Sequence, residues 1–349
     1  INLLELAAMG TIADLVPLTD ENRYIVSQGL VALSQTKRPG LLALYKLAKV
    51  NPLVLTSETV SYQLGPRINS SGRMANAGIS LDLLTTESED EAYRLAVQLE
   101  SLNDQRRTLS ARSYETALSK INLEYALPQV LFVTDPIFTT GVTGLVAGRL
   151  VEEFHRPAIA LSETATPDVL VASARSLPEF DLISALNSCA FLLEKFGGHS
   201  QAAGFTIRRT NLIKLMNRIN ELAVNLVSDH GSEKIVSIDV EVKLDELNQL
   251  CVDWLKTLEP WGIGNPQPLF MSRMVSIVDF RYMGYDNQHI RFTVKQGDSF
   301  WTALAFNQAR KWSEGTRFWD LAYTIYEDSW REGKASLKLV DFRPSSEQL

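Results

Sequence analysis

What this sequence has little of sets its first limits. Its 2 cysteines, Cys189 and Cys251, stand far apart with neither a disulfide framework nor metal-ligand spacing. They read as buried or half-buried thiols of a reducing compartment. The 4 histidines (His155, His199, His230 and His289) are scattered, and none stands beside an acid in a pattern that would build a metal centre. No apolar run approaches a membrane span and no signal-peptide pattern opens the chain, so a cytoplasmic address away from membranes is expected. Repeats and low-complexity tracts are missing too. An excess of positive charge is also lacking: the formal net charge of −7 argues against a general polyanion binder while leaving room for a locally basic groove. There is no initiator methionine. Ile1 runs straight into the apolar pattern Leu3-Leu4-Glu5-Leu6-Ala7-Ala8, which reads as a fragment's beginning.

What is present suits a soluble protein of several domains. A length of 349 residues predicts two or three, and 45% hydrophobic residues suffice for their cores. Residues 2–9 read as a short helix that Gly10 ends or bends, and a further helix runs from Tyr24 to Ser34. Another follows Pro39-Gly40, residues 75–84 suit a short one, and a long helix runs from Glu89 to about Tyr125. Its stripe of Ala92, Leu95, Ala96, Leu99 and Leu102 reads as core packing. Pro128–Thr134 opens an α/β domain as a buried strand. Pro157–Leu161 is expected to lie parallel to it after a helical crossover, with Val169–Arg175 a further strand. A polar linker near Asp229–Glu233 precedes short strands at Val236–Val242, Val275–Met283, His289–Val294, Trp301–Ala305, Asp320–Ile325 and Ser336–Phe342. That spacing predicts a small barrel.

Three stretches carry chemistry. In Gly10-Thr11-Ile12-Ala13-Asp14 an acid stands among small and apolar residues, a place for a helix cap, a turn carboxylate or a metal ligand. Tyr62–Met74 reads as a loop rich in donors, either solvated or able to fork onto phosphate oxygens. Arg67, Asn69 and Arg73 lead it, with Ser70 beside them. Gly197-Gly198-His199-Ser200-Gln201-Ala202-Ala203-Gly204-Phe205 leaves almost no side-chain bulk over one turn. It is either a tight packing turn or a close approach to a ligand, and Ser200–Ala203 could open a helix whose free N–H groups face an anion. Arg106, Arg107 and Arg112 lie on the polar part of the long helix and could flank a groove.

The last of these stretches resembles the GGHxxAAGF signature of the DHHA1 domain of DHH-family phosphoesterases. Gly141-Val142-Thr143-Gly144-Leu145-Val146-Ala147-Gly148-Arg149-Leu150 and Ser173-Ala174-Arg175-Ser176 resemble the same domain, although Phe138-Thr139-Thr140 depart from its His-Gln text. GTIAD, Pro66–Arg73 and Leu258-Glu259-Pro260-Trp261-Gly262-Ile263-Gly264-Asn265-Pro266 resemble the RecJ branch, the single-strand-specific 5′→3′ exonucleases.

That resemblance implies an α/β chain with the C-terminal part of a DHH catalytic domain (1–86) and a connecting helix (87–126). A DHHA1 nucleic-acid-binding domain (127–228) and an oligonucleotide-binding (OB) barrel (229–349) follow. It implies Asp14 as a ligand of a two-metal Mn2+ or Mg2+ site, with Asn22 and Arg23 supporting its loop. His199 is expected to be catalytic in the cleft. Arg67, Asn69, Ser70, Arg73, Arg149, Arg175, Ser176, Gly197, Gly198, His199 and Gly204 would meet nucleic acid. Trp261, Trp301, Trp312, Trp319 and Trp330 fall in or near the barrel, some to stack bases and some to fill the core. No Asp-His-His triplet occurs, so most metal ligands are expected upstream of this chain. The expected function is metal-dependent exonuclease action on single-stranded DNA in repair and recombination, by a monomer, with a single-strand-binding protein and a helicase as candidate partners. Alternatives are a non-catalytic single-strand-binding scaffold and a DHH phosphodiesterase acting on nanoRNA or cyclic dinucleotides.

Overall fold

The computed structural model describes residues 3–121, 127–224, 235–284, 286–328 and 334–346. The expected linker at Asp229–Glu233, the end of the long helix at Tyr125 and Trp330 lie outside them. Helices α1 (Leu4–Ala13), α2 (Asp20–Ser34) and α3 (Pro39–Ala48) precede the single turn α4 (Ser57–Thr59), then α5 (Gly65–Met74), α6 (Gly78–Thr85) and the long α7 (Glu89–Lys120). There follow β1 (Leu131–Thr134), α8 (Thr140–Phe154), β2 (Ala158–Glu163), β3 (Val169–Arg175), α9 (Leu182–Ser188), β4 (Leu193–Gly198), β5 (Ala202–Arg208) and α10 (Arg209–Ala223). The last part carries β6 (Val240–Glu241), α11 (Gln249–Thr257), β7 (Phe270–Met283), β8 (His289–Gln296), β9 (Ser299–Ala305), β10 (Trp319–Asp328) and β11 (Lys334–Pro344). Among the described residues no helix is long and apolar enough to cross a membrane.

The chain divides into two compact units, one of Gln35–Leu55 with Thr59–Lys234, the other of Ile1–Ser34, Thr56–Glu58 and Ile235–Leu349. The first is organised on α7. Ser88 caps its N-terminus by accepting from the Glu91 N–H. Ala92, Ala96, Leu99 and Leu102 then recur at helical spacing and pack with Leu83 of α6. Further along α7, Tyr114 and Ala117 pack with Leu131 and Val133 of β1 and Val146 and Leu150 of α8. The sheet has the order β1-β2-β3-β5-β4. Only β1 and β2 are parallel, because α8 carries the chain across between them. Its other face meets α9 and α10 through Leu170, Ala172, Phe205, Leu186, Leu215 and Ile219.

In the second unit five strands close a barrel in the order β7-β8-β9-β11-β10 and back to β7, with β9 and β11 parallel and the other neighbours antiparallel. This is the small barrel expected from the strand spacing, and it fits the OB fold that the resemblance implies. Tyr323 donates or accepts a 2.7 Å bond with Ser272, and burial pushes its phenol up to about 12.

Several local expectations are corrected. Gly10 does not end α1, which passes through it to Ala13. Tyr62–Met74 is not a loop: a π-helical turn over Val60–Leu64 leads into α5. Pro66 sits in the first turn of α5, where a missing N–H costs nothing, and Gly72 is exposed on it. Ser200–Ala203 does not open a helix, because the glycine-rich stretch is a β-hairpin of β4 and β5. The expected strand at Val236–Val242 shrinks to Val240–Glu241.

Candidate nucleic-acid interface

Small residues let α5 lie close on α7. Ser70 is fully buried and its hydroxyl donates to the Arg67 and Leu99 carbonyls, at 2.6 and 3.3 Å. It fastens the helix pair and has no surface from which to meet a ligand. The opposite face of α5 exposes Asn69 and Arg73. Arg67 is largely committed: Nε and Nη2 fork onto Glu100 of α7 at 2.5 and 3.0 Å, and Nη1 donates to the Gln63 carbonyl at 2.7 Å. A guanidinium has five N–H bonds, so about two remain. Arg67 is first a clamp between helices and only second a ligand donor.

Arg73 meets the start of α8. Its Nη1 donates to the Gly141 carbonyl at 3.3 Å, and a Cβ on Gly141 would stand 2.1 Å from the Arg73 carbonyl oxygen. Glycine is therefore required for this approach. Arg175, at the end of β3, reaches the same turn, with Nη2 about a contact distance (3.0 Å) from where a Gly144 Cβ would be. Partial burial of their guanidinium groups lowers the pKa of Arg73, Arg106 and Arg175. The Arg73 charge lowers Arg106 and Arg175 further, and Arg107 and Arg67 add to the effect on Arg106. Arg67, Arg73, Arg106, Arg107 and Arg175 thus share one positive field. Among the described residues only Arg67 of the five has a carboxylate partner. The N-terminus of α8, which opens at Thr140, adds the positive end of its dipole.

The hairpin is held at the same end of the sheet as Arg175. Gly197 pairs with Gly204 and Gly198 with Ala203, while the His199 N–H closes the turn on the Ala202 carbonyl at 2.8 Å. Gly198 has φ +138°, and a Cβ there would come within 2.4 Å of the Ala202 oxygen. Arg175 stands in register with Ala202. The Gln201 carbonyl accepts from the Ser176 N–H and the Ser200 carbonyl from Leu182, each at 2.9 Å. The tip is thereby tied to both β3 and α9. His199 is exposed on it, whereas the Ser176 hydroxyl is engaged with the Phe180 carbonyl at 2.8 Å. Arg149 is not brought into the arginine row. Its guanidinium lies 3.8 Å from the centroid of the Tyr114 ring.

In the barrel unit, Asp14 is exposed at the C-cap of α1, its N–H bonded to Gly10. A carboxylate at the carbonyl end of a helix is disfavoured by the dipole, and among the described residues it has no ion-pair partner. Such a group favours a cation. The loop after it is braced as the sequence suggests: Asn22 donates to Pro17, and Arg23 to the Leu258 and Glu259 carbonyls. Gly262 and Gly264 let that segment lie against Pro17, Leu18 and Thr19, Gly264 at φ +78°.

Among the described tryptophans of this unit Trp319 is core, Trp301 and Trp312 pack partly buried against it, and Trp254 of α11 is exposed. Trp319 is 1% exposed and packs at 5.1 Å, its ring tilted by 38°, against Trp312, which also meets Phe292. Trp301 bonds the Leu244 carbonyl through its indole N–H, and Trp261 is half-buried. The stripe facing away from the core carries Arg291, Thr293 and Lys295 of β8 beside Leu304, the buried Thr302 and Phe300 of β9. Phe300 is 59% exposed, with the Lys295 ammonium 5.1 Å from its ring. A recess of about 460 Å³ opens along this stripe. The sequence reading missed these residues, although the alternation of His289-Ile290-Arg291-Phe292-Thr293-Val294-Lys295 carries them. A larger recess of about 740 Å³ beside α7 is lined by Glu100 and Asp104 together with Arg112, a lining of mixed charge.

Comparison with known proteins bears on both units. Residues 127–225 match the DHHA1 domain family and residues 238–341 the RecJ OB domain family. The single-stranded-DNA-specific exonuclease RecJ of Bacillus subtilis is 34% identical over 306 residues, covering 88% of this chain and 39% of that protein. Its counterpart in Haemophilus influenzae is 30% identical, covering 98% of this chain and 61% of that protein. The crystal structure of RecJ in complex with Mn2+ from Thermus thermophilus superposes with a TM-score of 0.82 at 28% identity, over 97% of this chain and 49% of that one. This chain therefore spans only about two fifths to three fifths of the length of these relatives.

Proposed function

The chain belongs to the RecJ family, and from that premise we propose that it grips single-stranded DNA for a 5′→3′ exonuclease acting in DNA repair and recombination. The observation that supports this is the arginine row at the junction of α5, α7 and α8, five guanidinium groups sharing one field with one carboxylate between them. A row of unneutralised cations beside a helix N-terminus suits a polyphosphate backbone. Arg73 and Arg175, with the end-on N–H bonds left to Arg67, hold and orient the backbone, and Asn69 adds a shorter bond. His199 on the hairpin tip and the glycines beneath it line the path. The barrel stripe stacks bases on Phe300 and neutralises phosphates with Arg291 and Lys295.

Phosphodiester hydrolysis of this type uses two divalent ions, Mn2+ or Mg2+, to activate water and absorb charge. Among the described residues no three His, Cys, Asp or Glu side chains converge to hold a metal. These residues do not build such a centre, and Asp14 enters the proposal as a single ligand. The reading extends to the division 1–86, 87–126, 127–228 and 229–349, to a cytoplasmic monomer, and to a single-strand-binding protein and a helicase as partners.

The test is binding of a labelled oligothymidylate by the 349-residue chain across a salt series. Affinity is expected to fall steeply with salt, and Arg73→Ala to cost about tenfold and to flatten the salt slope by about 0.7. Binding indifferent to salt sinks the reading. For the metal, manganese-dependent 5′-nuclease activity is compared between a protein of the relatives' full length and its Asp14→Ala variant. Equal activity removes Asp14 from the metal site, and robust activity of the 349-residue chain alone refutes the account of its ligands.

A further inference from the structure

Arg106 lies midway along α7, and nothing in its sequence setting separates it from an ordinary solvated arginine. Its surroundings do. One guanidinium nitrogen, Nη2, donates at 2.9 Å to the side-chain oxygen of Asn103, which is itself only 2% exposed. Its Nε is buried and has no hydrogen-bond partner. No carboxylate pairs with it among the described residues. Burial first, and then the charges of Arg73, Arg107 and Arg67, lower its pKa. A guanidinium does not shed its proton to relieve such crowding. Leaving a charged donor buried and unpaired is costly, and what relieves it is an anion arriving from outside.

We infer that Arg106 is a phosphate-contact residue of the interface, aimed by Asn103, which acts as its positioning residue. This rests on the reading that the unit binds single-stranded DNA. Asn103 fixes the guanidinium by one bond while leaving its charge whole, and a neutral holder is what such a task requires. Glu100 contrasts with it, because there a carboxylate neutralises the arginine it holds. Two arginines reached from one helix thus have different roles. Arg67 is mainly structural, and Arg106 is available to the ligand.

The experiment measures binding of the same labelled oligothymidylate by the full 349-residue chain against salt, with thermal unfolding of every variant. Arg106→Gln is expected to bind about tenfold more weakly and to flatten the salt slope by about 0.7. Arg106→Lys should recover the slope but not the affinity, because an ammonium cannot bond Asn103 and a phosphate in one fixed plane. Asn103→Asp supplies an internal carboxylate that pairs Arg106 and should imitate Arg106→Gln in both readouts. It carries the test by itself if Arg106→Gln fails to fold. Wild-type affinity and slope in Arg106→Gln or in folded Asn103→Asp, while Arg73→Ala still weakens binding, overturns this inference alone. A wild-type chain that shows no salt-dependent binding overturns the underlying reading instead.

Discussion

The two units place their conspicuous side chains in opposite ways. In the helix-and-sheet unit, Arg73, Arg106, Arg107 and Arg175 have no carboxylate partner among the described residues. In the barrel unit, two tryptophans that could have faced a ligand are turned inward, Trp319 against Trp312 and Phe342. Residue type alone does not reveal a binding surface; partner accounting does. A cation with no counter-charge is expensive and therefore informative, whereas a large apolar ring is at home in a core. On the barrel the informative groups are the outward residues of β8 and β9, where Phe300 keeps more than half its surface exposed. Grip in one unit is expected to be mainly electrostatic, and in the other mainly by stacking.

The largest expected effect tests whether the tryptophans are core. Trp319→Ala empties the centre of the barrel and should cost about 3–5 kcal/mol of its stability, read by urea unfolding. Arg73→Ala should leave the unfolding midpoint nearly unchanged. If Trp319→Ala weakened DNA binding in a chain of wild-type stability, Trp319 would belong to the interface and the contrast would break.

Next comes a comparison of kinds of binding. Phe300→Ala should weaken binding of single-stranded DNA by about 1–3 kcal/mol, the usual worth of one stacked base. Stacking releases no counterions, so its salt slope should match that of the wild type, unlike that of Arg73→Ala. A flattened slope in Phe300→Ala would mean that Lys295, 5.1 Å from the ring, depends on it for its place. Stacking and charge on the barrel would then be one contact rather than two separable ones.

Much of the fold was legible because period and order survive in the text. Strand alternation at Val275–Met283 and His289–Val294 falls within β7 and β8, and Pro157–Leu161 pairs in parallel with β1 after its helix, as expected. Glycine and proline misled where they had two uses. Gly65-Pro66 reads as a loop, yet proline is welcome in a helix's first turn. Gly197–Gly204 allows both a helix start and a hairpin, and only the cross-strand partners decide. The candidate site was half legible. Arg67 and Arg73 could be named, but Glu100, 33 residues from Arg67, could not be known to hold one and spare the other. Arg106 was visible only as one charge among several until its orphaned Nε was located. Ser70 looked like a donor because a sequence does not say which face of a helix is covered.

The smallest effect concerns the hairpin tip, which polar bonds rather than packing hold in place. Asp181 caps α9, accepting from the Ile183 and Ser184 N–H groups and from the Ser184 hydroxyl. The Ser184 hydroxyl first, and then these backbone bonds, hold its carboxyl below the ordinary value of 3.8. A carboxylate depressed in the folded state gives its full stabilisation above the unfolded pKa and loses it as pH falls through the folded one. The adjoining Leu182 N–H is bonded to the Ser200 carbonyl, so weakening this cap loosens the tip that carries His199. Asp181→Asn keeps a good capping oxygen but cannot titrate in this range. Melting temperatures of the two proteins, followed from neutral pH to about pH 3, should therefore differ most at neutrality and converge on acidification. A gap that stays constant would show that the Asp181 charge does nothing for the tip, and that the backbone bonds from Ser176 and Leu182 suffice to hold it.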